Sequence, residues 1–336
     1  NSLNALPNGI AGHERMELKD CSSLRAWPAG NFPTSFKKFV IKNCEHLQPV
    51  SQEMFHQNSS MSLEDLSVLN WQNIGTLIQY MHNFSRLVEL YISNCDTLES
   101  FPDQGLSTPN LRILSVEYCS NLNSIPAEIN RISSLISLEV RSCPKLETFP
   151  KGELPSSLTS LRVWDSRKLR PLAEWHLDRL ASLQEFSICG GFPKLVSFGD
   201  AEHLFPSSLT KFSIARFPSL KSVFKGLNSL TSLQHLSLMN CPKLHVLPCH
   251  KLLDRLWHLE ISGCPQLRDR CLREKGEYWQ RIADIPCVEL DGSYVYKQTP
   301  EWSNSWHHKF PLLLIGFSGL LYIAFSIAAL FSAPHV

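Results

Sequence analysis

Apolar residues return along most of this chain in one fixed arrangement. With x for any residue, the arrangement is L-x-x-L-x-I-x-x-C-x-x-L-x-x-F-P, and it is clearest in LVELYISNCDTLESFP (87 to 102), LRILSVEYCSNLNSIP (111 to 126), LISLEVRSCPKLETFP (135 to 150) and LQHLSLMNCPKLHVLP (233 to 248). Weaker copies bring the total to eleven, with cysteine-equivalent positions at 21, 44, 71, 95, 119, 143, 166, 191, 217, 241 and 264. The steps between these positions run from 23 to 27 residues, so the chain is built from an internal repeat.

Within each copy, the segment L-x-L-x-I alternates apolar and variable positions. Successive strand residues point to opposite faces, so Leu138 and Val140 are predicted to face inward while Ser137, Glu139 and Arg141 face outward. One short strand per copy, at this spacing, is typical of leucine-rich repeats. The pattern therefore predicts an α/β solenoid, a leucine-rich-repeat horseshoe of about eleven repeats with a parallel strand ladder over residues 1–267.

The repeated cysteine marks the point where the chain leaves the strand and turns inward. Cys143 is small and apolar enough to pack there, with its weak S–H donor facing the turn. Most of the eleven cysteines fall at this one position, their number is odd, and no dense pairing pattern is present. We therefore interpret them as reduced, packed thiols.

Some copies depart from the pattern. Trp71, Ser166 and Phe217 replace the cysteine and are predicted to lie at irregular joints of the solenoid. The copy that starts at Leu183 fits only with one extra residue, which favours a bulge near Gly190.

Composition narrows the function classes. A formal charge of +1, from 32 Lys and Arg against 31 Asp and Glu, argues against the basic footprint that nucleic-acid binding needs. The chain has no G-x-x-x-x-G-K-[S/T] phosphate loop, G-x-S-x-G elbow, C-x-x-C pair or H-E-x-x-H motif. Histidines and cysteines cluster between Cys241 and Cys264, but the repeat already accounts for both of these cysteines. We predict a non-enzymatic chain with no cofactor, no metal and no nucleic-acid partner.

The outward strand positions are the part of a solenoid that usually binds partners. Tyr91 and Trp164 stand out there, because an aromatic side chain on a strand face costs solubility unless it is covered or used as a contact anchor. The candidate partner-binding residues of this strand face are Tyr91, Glu117, Glu139, Arg141, Arg162, Trp164 and Met239.

The pattern changes after Leu267. Residues 268–292, RDRCLREKGEYWQRIADIPCVELDG, are predicted to form a C-terminal cap with a charged short helix that ends near Gly276, a turn that carries Trp279, and a strand CVEL. The repeat, followed by CPQLRDRCLREKGEYW and IADIPCVELD, resembles the C-terminal leucine-rich-repeat part of plant coiled-coil nucleotide-binding leucine-rich-repeat (NBS-LRR) disease-resistance proteins. The resemblance covers roughly residues 13 to 292.

This resemblance implies a function. Proteins of that family detect pathogen effectors, or the effects of these on host proteins, inside the cell, and their leucine-rich repeats contribute recognition and hold a nucleotide-binding switch inactive. The switch has no counterpart in these residues, so binding of ATP or ADP is not carried over. We expect a non-catalytic protein-recognition module of a plant intracellular immune receptor that contributes to the defense response. Its expected partners are a pathogen effector, a guarded host protein or a nucleotide-binding domain supplied in trans.

The last segment departs from that family. Residues 310–333, FPLLLIGFSGLLYIAFSIAALFSA, are 24 residues without a charge. As a helix they would span about 36 Å, against a hydrocarbon core of about 30 Å. The sequence therefore predicts a linker over 293–309 and a C-terminal apolar, transmembrane helix over 310–333. The repeats are expected in the cytoplasm, with this helix as a candidate tail anchor in a membrane.

Other interpretations stay open. The reverse orientation gives a membrane-anchored extracellular leucine-rich-repeat receptor-like protein that senses a peptide or a glycan, and the glycosylation patterns at Asn58 and Asn83 would suit it. Against it, the repeats lack the N-x-L-x-G-x-I-P run of plant surface receptors. The apolar segment is also consistent with a signal removed on lipid anchoring or with a mispredicted last exon. The start at Asn1 favours a fragment of a longer chain.

Overall fold

Every repeat contributes one five-residue strand to a single sheet. This computed structural model describes residues 12–27, 32–55, 61–102, 105–147, 149, 154–169, 171–198, 204–222, 227 and 229–297. Its strands are β1 (Arg15–Lys19), β2 (Lys38–Lys42), β3 (Asp65–Leu69), β4 (Glu89–Ser93), β5 (Ile113–Glu117), β6 (Ser137–Arg141), β7 (Ser160–Trp164), β8 (Glu185–Cys189), β9 (Lys211–Ala215), β10 (His235–Met239), β11 (His258–Ser262), β12 (Cys287–Leu290) and β13 (Ser293–Lys297).

Short helices form part of the connections between the strands. The α-helices are α1 (Ile74–Gln79), α2 (His250–Leu253), α3 (Pro265–Cys271) and α4 (Trp279–Ile282). Further single turns of 3-10 helix are Gln52–Met54, Met81–Asn83, Ile129–Arg131, Leu172–Trp175 and Leu177–Arg179.

The strands lie in the sheet in chain order, and equivalent repeat positions are partners. Leu138 on β6 pairs with Leu114 on β5 and with Leu161 on β7, and β1 to β12 pair in parallel throughout. This confirms the parallel leucine-rich-repeat ladder. The ladder extends beyond the eleven repeat strands, because β12, the CVEL segment, continues the parallel register from β11.

The core lies behind the sheet and is built from the apolar positions of the repeat. Leu138, Val140, Cys143 and Leu146 are fully buried, as the alternation predicts. A single hydrophobic cluster continues through the neighbouring repeats. Because each repeat covers the apolar edge of its neighbour, no repeat can bury these residues by itself.

The residue after each repeat strand has left-handed backbone geometry. The φ angle is +51° at Asn240 and +62° at Gly263, and the same conformation occurs at Asp20, Asn43, Asn70, Asn94, Tyr118, Ser142, Asp165, Gly190, Arg216 and Asp291. It aims the backbone N–H at the next strand, so that Asn240 N donates to Ser262 O at 2.7 Å. Glycine, Asn and Asp tolerate this geometry best, and they fill most of these positions.

The departures from the cysteine pattern do not interrupt the ladder. Trp71 and Phe217 are fully buried, and Ser166 donates to Trp164 O at 3.4 Å. The expectation of irregular joints was therefore wrong for the strands, since the register runs on across all three repeats. The expected bulge at Gly190 is also missing from β8, which pairs continuously on both sides, and Gly191 has a second positive φ of +87° in the turn that follows.

The C-terminal region continues the solenoid. The described residues up to Val295 belong to one compact unit. The predicted charged helix ends earlier than expected, with α3 capped at Leu272, and Trp279 begins the short helix α4 where a turn was expected. The division between solenoid and cap at residue 267 stays a prediction.

Within the described ranges, which end at residue 297, no helix is long and apolar enough to cross a membrane. The predicted transmembrane helix at 310–333 and nearly all of the predicted linker at 293–309 lie outside the described residues.

Candidate functional site

The first, third and fifth residues of each repeat strand form the strand face. Six of the seven candidate residues lie there on four adjacent strands, and together we call them the central cluster: Tyr91 on β4, Glu117 on β5, Glu139 and Arg141 on β6, and Arg162 and Trp164 on β7. Glu117 is the strand partner of Arg141, which is in turn the partner of Trp164. Met239 lies apart from this cluster on β10, between Ala215 and Ser262.

On β4 and β5, the central cluster contains the buried carboxylate of Glu117, which accepts hydrogen bonds from two hydroxyl groups. Tyr91 Oη donates to Glu117 Oε2 at 3.2 Å, and Ser115 Oγ donates to Glu117 Oε1 at 3.3 Å. Only 6% of Glu117 is exposed. Burial, and then the nearby Glu117 carboxylate, raise the pKa of Tyr91 to about 12. Tyr91 is therefore a protonated donor over the whole physiological pH range.

A network of charged side chains crosses the middle of the face. Arg162 lies 3.8 Å from Glu139 Oε2 and 3.4 Å from Glu185 Oε2, and Lys211 Nζ lies 2.6 Å from Glu185 Oε1. Burial, and then the charge of Glu117, raise the pKa of Glu139, while Arg162 and Arg141 oppose that rise. The Glu139 Oε1 atom is buried without a hydrogen-bond partner in the described part of the chain.

Arg141 is held between two aromatic rings. Its guanidinium carbon lies 4.7 Å from the ring centroid of Trp164 and 5.3 Å from that of Tyr118. Trp164 Nε1 donates to Ser187 Oγ at 3.2 Å, which fixes the orientation of the indole. Both distances are within the range of cation–π attraction.

Sequence reasoning missed Tyr118, because it lies just beyond the strand and the repeat pattern left that position unspecified. A signal was present. In most copies the residue before the cysteine position is Asn, Asp or Gly, as in Asn94 and Asn240, and Tyr118 breaks that preference. The same row contains Arg216, which reaches across two repeats to Asp165 Oδ2 at 2.5 Å.

Most of the cysteines form a packed, buried row. The cysteines are not joined in disulfides, and Cys143 Sγ donates to Arg141 O at 3.4 Å in a bond that several other repeats share. Burial raises the pKa of Cys95 to about 11 and that of Cys271 to about 12. The adjacent Cys143 thiol and burial also raise the pKa of Cys119. The neighbouring Cys119 and Cys264 thiols instead lower the pKa of Cys143 and of Cys241. No group of three metal ligands occurs among the described residues.

One of the two glycosylation patterns lies in the described chain. Asn83 is half-buried at the end of a 3-10 turn, and its Nδ2 atom donates to Tyr80 O at 3.1 Å. A glycan would have to be attached to this same nitrogen, so the geometry disfavours Asn83 as an acceptor. Asn58 lies outside the described residues.

The fold and the strand face define a class of protein. One parallel strand per repeat of 23 to 27 residues, with buried leucines behind it, is the leucine-rich-repeat architecture, so this chain is a leucine-rich-repeat protein. No protein-family model matches the chain.

The relatives point to plant disease resistance. One relative is a protein of Arabidopsis thaliana that is named as a disease resistance protein. It is 31% identical to this chain over 324 residues, and the alignment covers 86% of this chain and 22% of that protein. The chain is therefore homologous to a part of a plant disease resistance protein, which confirms the resemblance. It spans about a fifth of the length of this relative, 22%.

Two solved structures are also similar. A leucine-rich-repeat protein of Leptospira interrogans has a TM-score of 0.39 at 16% identity over 92% of both chains. The structure of TLR13 in complex with ssRNA13 has a TM-score of 0.33 at 13% identity over 72% of this chain and 46% of that one. The fold assignment rests on the strand ladder itself.

Proposed function

We propose that this chain is a non-catalytic protein-recognition module of a plant intracellular immune receptor, and that it binds its partner through the central cluster. One observation carries the proposal. Tyr91, Arg141 and Trp164, the residue types that dominate binding energy at protein interfaces, lie on a continuous face of four neighbouring strands.

The chemistry of the face fits a protein partner. Aromatic rings with a polar edge and an arginine between aromatic rings are residue types that are enriched at protein interfaces. Homology to a disease resistance protein supports a pathogen effector or a guarded host protein as the partner. A nucleotide-binding domain supplied in trans is the third candidate.

The surface is tested by replacing Tyr91, Arg141 and Trp164 together with alanine in the full chain. The probe is an array of random synthetic peptides, and the measurement is the retention of the purified chain. We expect the triple variant to lose most of the retention. A control triple variant with Glu128, Arg131 and Lys168 replaced by alanine, all outside the strand face, should keep it.

A second variant separates binding from folding. Arg141→Gln leaves both aromatic rings in place and removes one charge without adding a carboxylate beside Glu117 and Glu139, so it should weaken retention with a smaller change in denaturant midpoint than the triple variant. Equal retention by the parent and both strand-face variants would rule out this face as the binding surface.

The proposed cytoplasmic location has its own test. The full chain and a version that ends at Asp291 are expressed in plant cells with an N-terminal tag, and membranes are washed with carbonate. A tail anchor predicts that only the full chain stays in the membranes, with its tag accessible to protease. A protected tag on the membrane-bound chain would contradict the cytoplasmic location.

A further inference from the structure

The sandwiched arginine of the central cluster differs from the other arginines around it. Arg162 lies between Glu139 and Glu185, and Arg216 is paired with Asp165. Among the described residues, no carboxylate lies within ion-pair distance of the Arg141 guanidinium, and no side-chain or backbone oxygen accepts a hydrogen bond from it. Its N–H groups are free to bind a ligand.

Two carboxylates lie near this charge without pairing with it, and Arg141 opposes the rise in the pKa of Glu139. Glu117 is the strand partner of Arg141, but its two oxygens accept hydrogen bonds from Tyr91 and Ser115. Those donors lie on β4 and β5, and no ion pair between Glu117 and Arg141 occurs among the described residues.

The aromatic partner Tyr118 occupies a conformation that is unfavourable for a bulky residue. Its φ angle is +52°, at a position where the chain elsewhere uses Asn94, Asn240 or Gly263. The backbone N–H of Tyr118 makes the usual bond, to Arg141 O at 2.7 Å, so the main chain gains nothing from the tyrosine. Left-handed geometry in a bulky residue costs about 1 kcal/mol or more and tends to mark functional positions.

We propose that the stack of Tyr118, Arg141 and Trp164 is a subsite that binds the carboxylate of a Glu or Asp side chain in a polypeptide ligand. This deepens the proposed function and rests on it. The Tyr118 and Trp164 rings lie on the β5 and β7 sides of the guanidinium. Its N–H groups form a planar fork that matches a carboxylate. Because the rings hold that fork in place, less side-chain entropy is lost when the ligand binds.

The surrounding charges select a carboxylate over a phosphate. Glu117 and Glu139 lie on the two strands nearest to the stack, and both are held there by hydrogen bonds or ion pairs. Acidic side chains at these two positions repel a doubly charged phosphate more strongly than a singly charged carboxylate. The occupant that fits is therefore an acidic side chain of a protein segment that lies across β5 to β7.

The experiment uses three immobilised libraries of short random peptides that are identical except at one central position, which is Glu, Gln or phosphoserine. Retention of the full-length chain is measured on each. We expect the Glu library to retain the chain about tenfold more strongly than the Gln library, since the gain comes from a charge-assisted, two-pronged hydrogen bond. Retention on the phosphoserine library should be lower than on the Glu library.

The variants assign the preference to the stack. Arg141→Gln should remove the preference for Glu, and Arg141→Lys should remove most of it, because lysine keeps the charge but not the planar fork. Tyr118→Asn restores the residue type that suits the left-handed position, so it should raise the denaturant midpoint and lower the Glu preference. The control Arg131→Gln, in an exposed 3-10 turn, should change neither.

Each outcome has a defined meaning. Equal retention on the Glu and Gln libraries overturns the carboxylate subsite, and so does a lack of retention on both. Stronger retention on the phosphoserine library than on the Glu library also overturns it. If all libraries retain the chain equally and the triple alanine variant of Tyr91, Arg141 and Trp164 loses that retention, the strand face remains the binding surface and only the subsite fails. Retention that the triple variant does not reduce contradicts the proposed function as well.

Discussion

The Tyr91 hydroxyl donates a 3.2 Å hydrogen bond to Glu117 Oε2 on the adjacent strand. The bond joins β4 to β5 on the strand face and holds a carboxylate that is almost completely buried. A charged group in this position is stabilised only while its donors remain protonated and in place. The Glu117 carboxylate thus contributes to the raised pKa of Tyr91.

The first prediction concerns this contribution. Burial and the Glu117 carboxylate place the pKa of Tyr91 at about 12, above the ordinary value of about 10. Glu117→Gln should lower it, but not to 10, because burial is the larger cause. The measurement is the tyrosinate absorbance of each protein against pH, with the matching Tyr91→Phe protein subtracted. An unchanged midpoint in Glu117→Gln would show that the carboxylate has no influence.

The raised pKa of Tyr91 also determines how stability changes with pH. Between about pH 10 and about pH 12 the unfolded chain has already lost the Tyr91 proton while the folded chain retains it. Stability should therefore fall as the pH rises through this window, and Tyr91→Phe should show a shallower fall.

The second prediction concerns the residues with left-handed backbone geometry that follow the strands. Gly263 has a φ of +62°, and a Cβ atom there would lie 2.2 Å from Asn240 Oδ1 and 3.2 Å from Asn240 Cα. Gly263→Ala should lower the free energy of unfolding by about 1–3 kcal/mol, from backbone strain and from displacement of Asn240. Chemical denaturation provides the measurement.

A matched control separates the two causes. Gly292 has a φ of +77° with nothing within 4 Å of the added Cβ, so Gly292→Ala carries the strain alone. It should cost about 1 kcal/mol. Equal losses in both variants would show that crowding against Asn240 contributes nothing.

The third prediction tests the repeat pattern against local packing. Trp71 stands where the pattern prefers cysteine, yet its side chain is fully buried, its Nε1 donates to Leu47 O at 3.1 Å, and its ring packs edge-on against Trp27 at 5.9 Å. Trp71→Cys restores the pattern but leaves a large cavity, so it should destabilise the chain by about 3 kcal/mol or more. Thermal or chemical denaturation measures the loss.

Ser166→Cys restores the same pattern without a cavity. Ser166 already donates to Trp164 O as the cysteines do to their own carbonyls, and the two side chains are similar in size. Its effect should stay below about 1 kcal/mol. A stabilised Trp71→Cys protein would mean that the pattern outweighs packing at this site.

The fourth prediction concerns acid stability. His235 on β10 lies beside His258 on β11, with ring centroids 5.9 Å apart. Burial, then the charges of His258 and Lys211, lower the pKa of His235 to about 4, while Glu185 opposes this. In the unfolded chain histidine titrates near about 6.5, so the unfolded state binds the extra proton first and stability should fall as pH drops from about 6.5 to about 4.

His235→Asn removes this titration. The denaturant midpoint of the variant should therefore fall less between pH 7 and pH 5 than that of the parent protein. Identical pH dependence in the two proteins would show that His235 does not contribute to acid sensitivity.

The strand ladder was predictable because its cause is local and repeated. Leu138 and Val140 alternate with outward residues in one copy after another, and a strand of this kind has one way to bury its apolar side. The spacing of the copies then fixes which residues are partners, so the adjacency of Glu139 to Arg162 and the separation of Met239 from both follow from the repeat. The left-handed positions after the strands were less evident from the sequence, because Asn, Asp and Gly all occur at them.

Single substitutions within the pattern were harder to interpret. Trp71 and Phe217 suggested breaks in the solenoid, but the large side chains fill the core and the register continues. Neighbouring repeats pack around these larger side chains without a change in strand register. A pattern that treats each repeat alone does not describe the packing between repeats.

The sequence by itself determined the class of fold, the order and register of the strands, and the set of residues that face outward from them. The tertiary structure alone decided which of these side chains are free. Glu117 faces outward in the pattern but is buried, because Tyr91 and Ser115 direct hydrogen bonds to it. Arg141 makes no ion pair among the described residues and lies between Tyr118, just beyond β5, and Trp164 on β7. Such contacts depend on side-chain directions across neighbouring strands, which the periodicity of one chain does not specify.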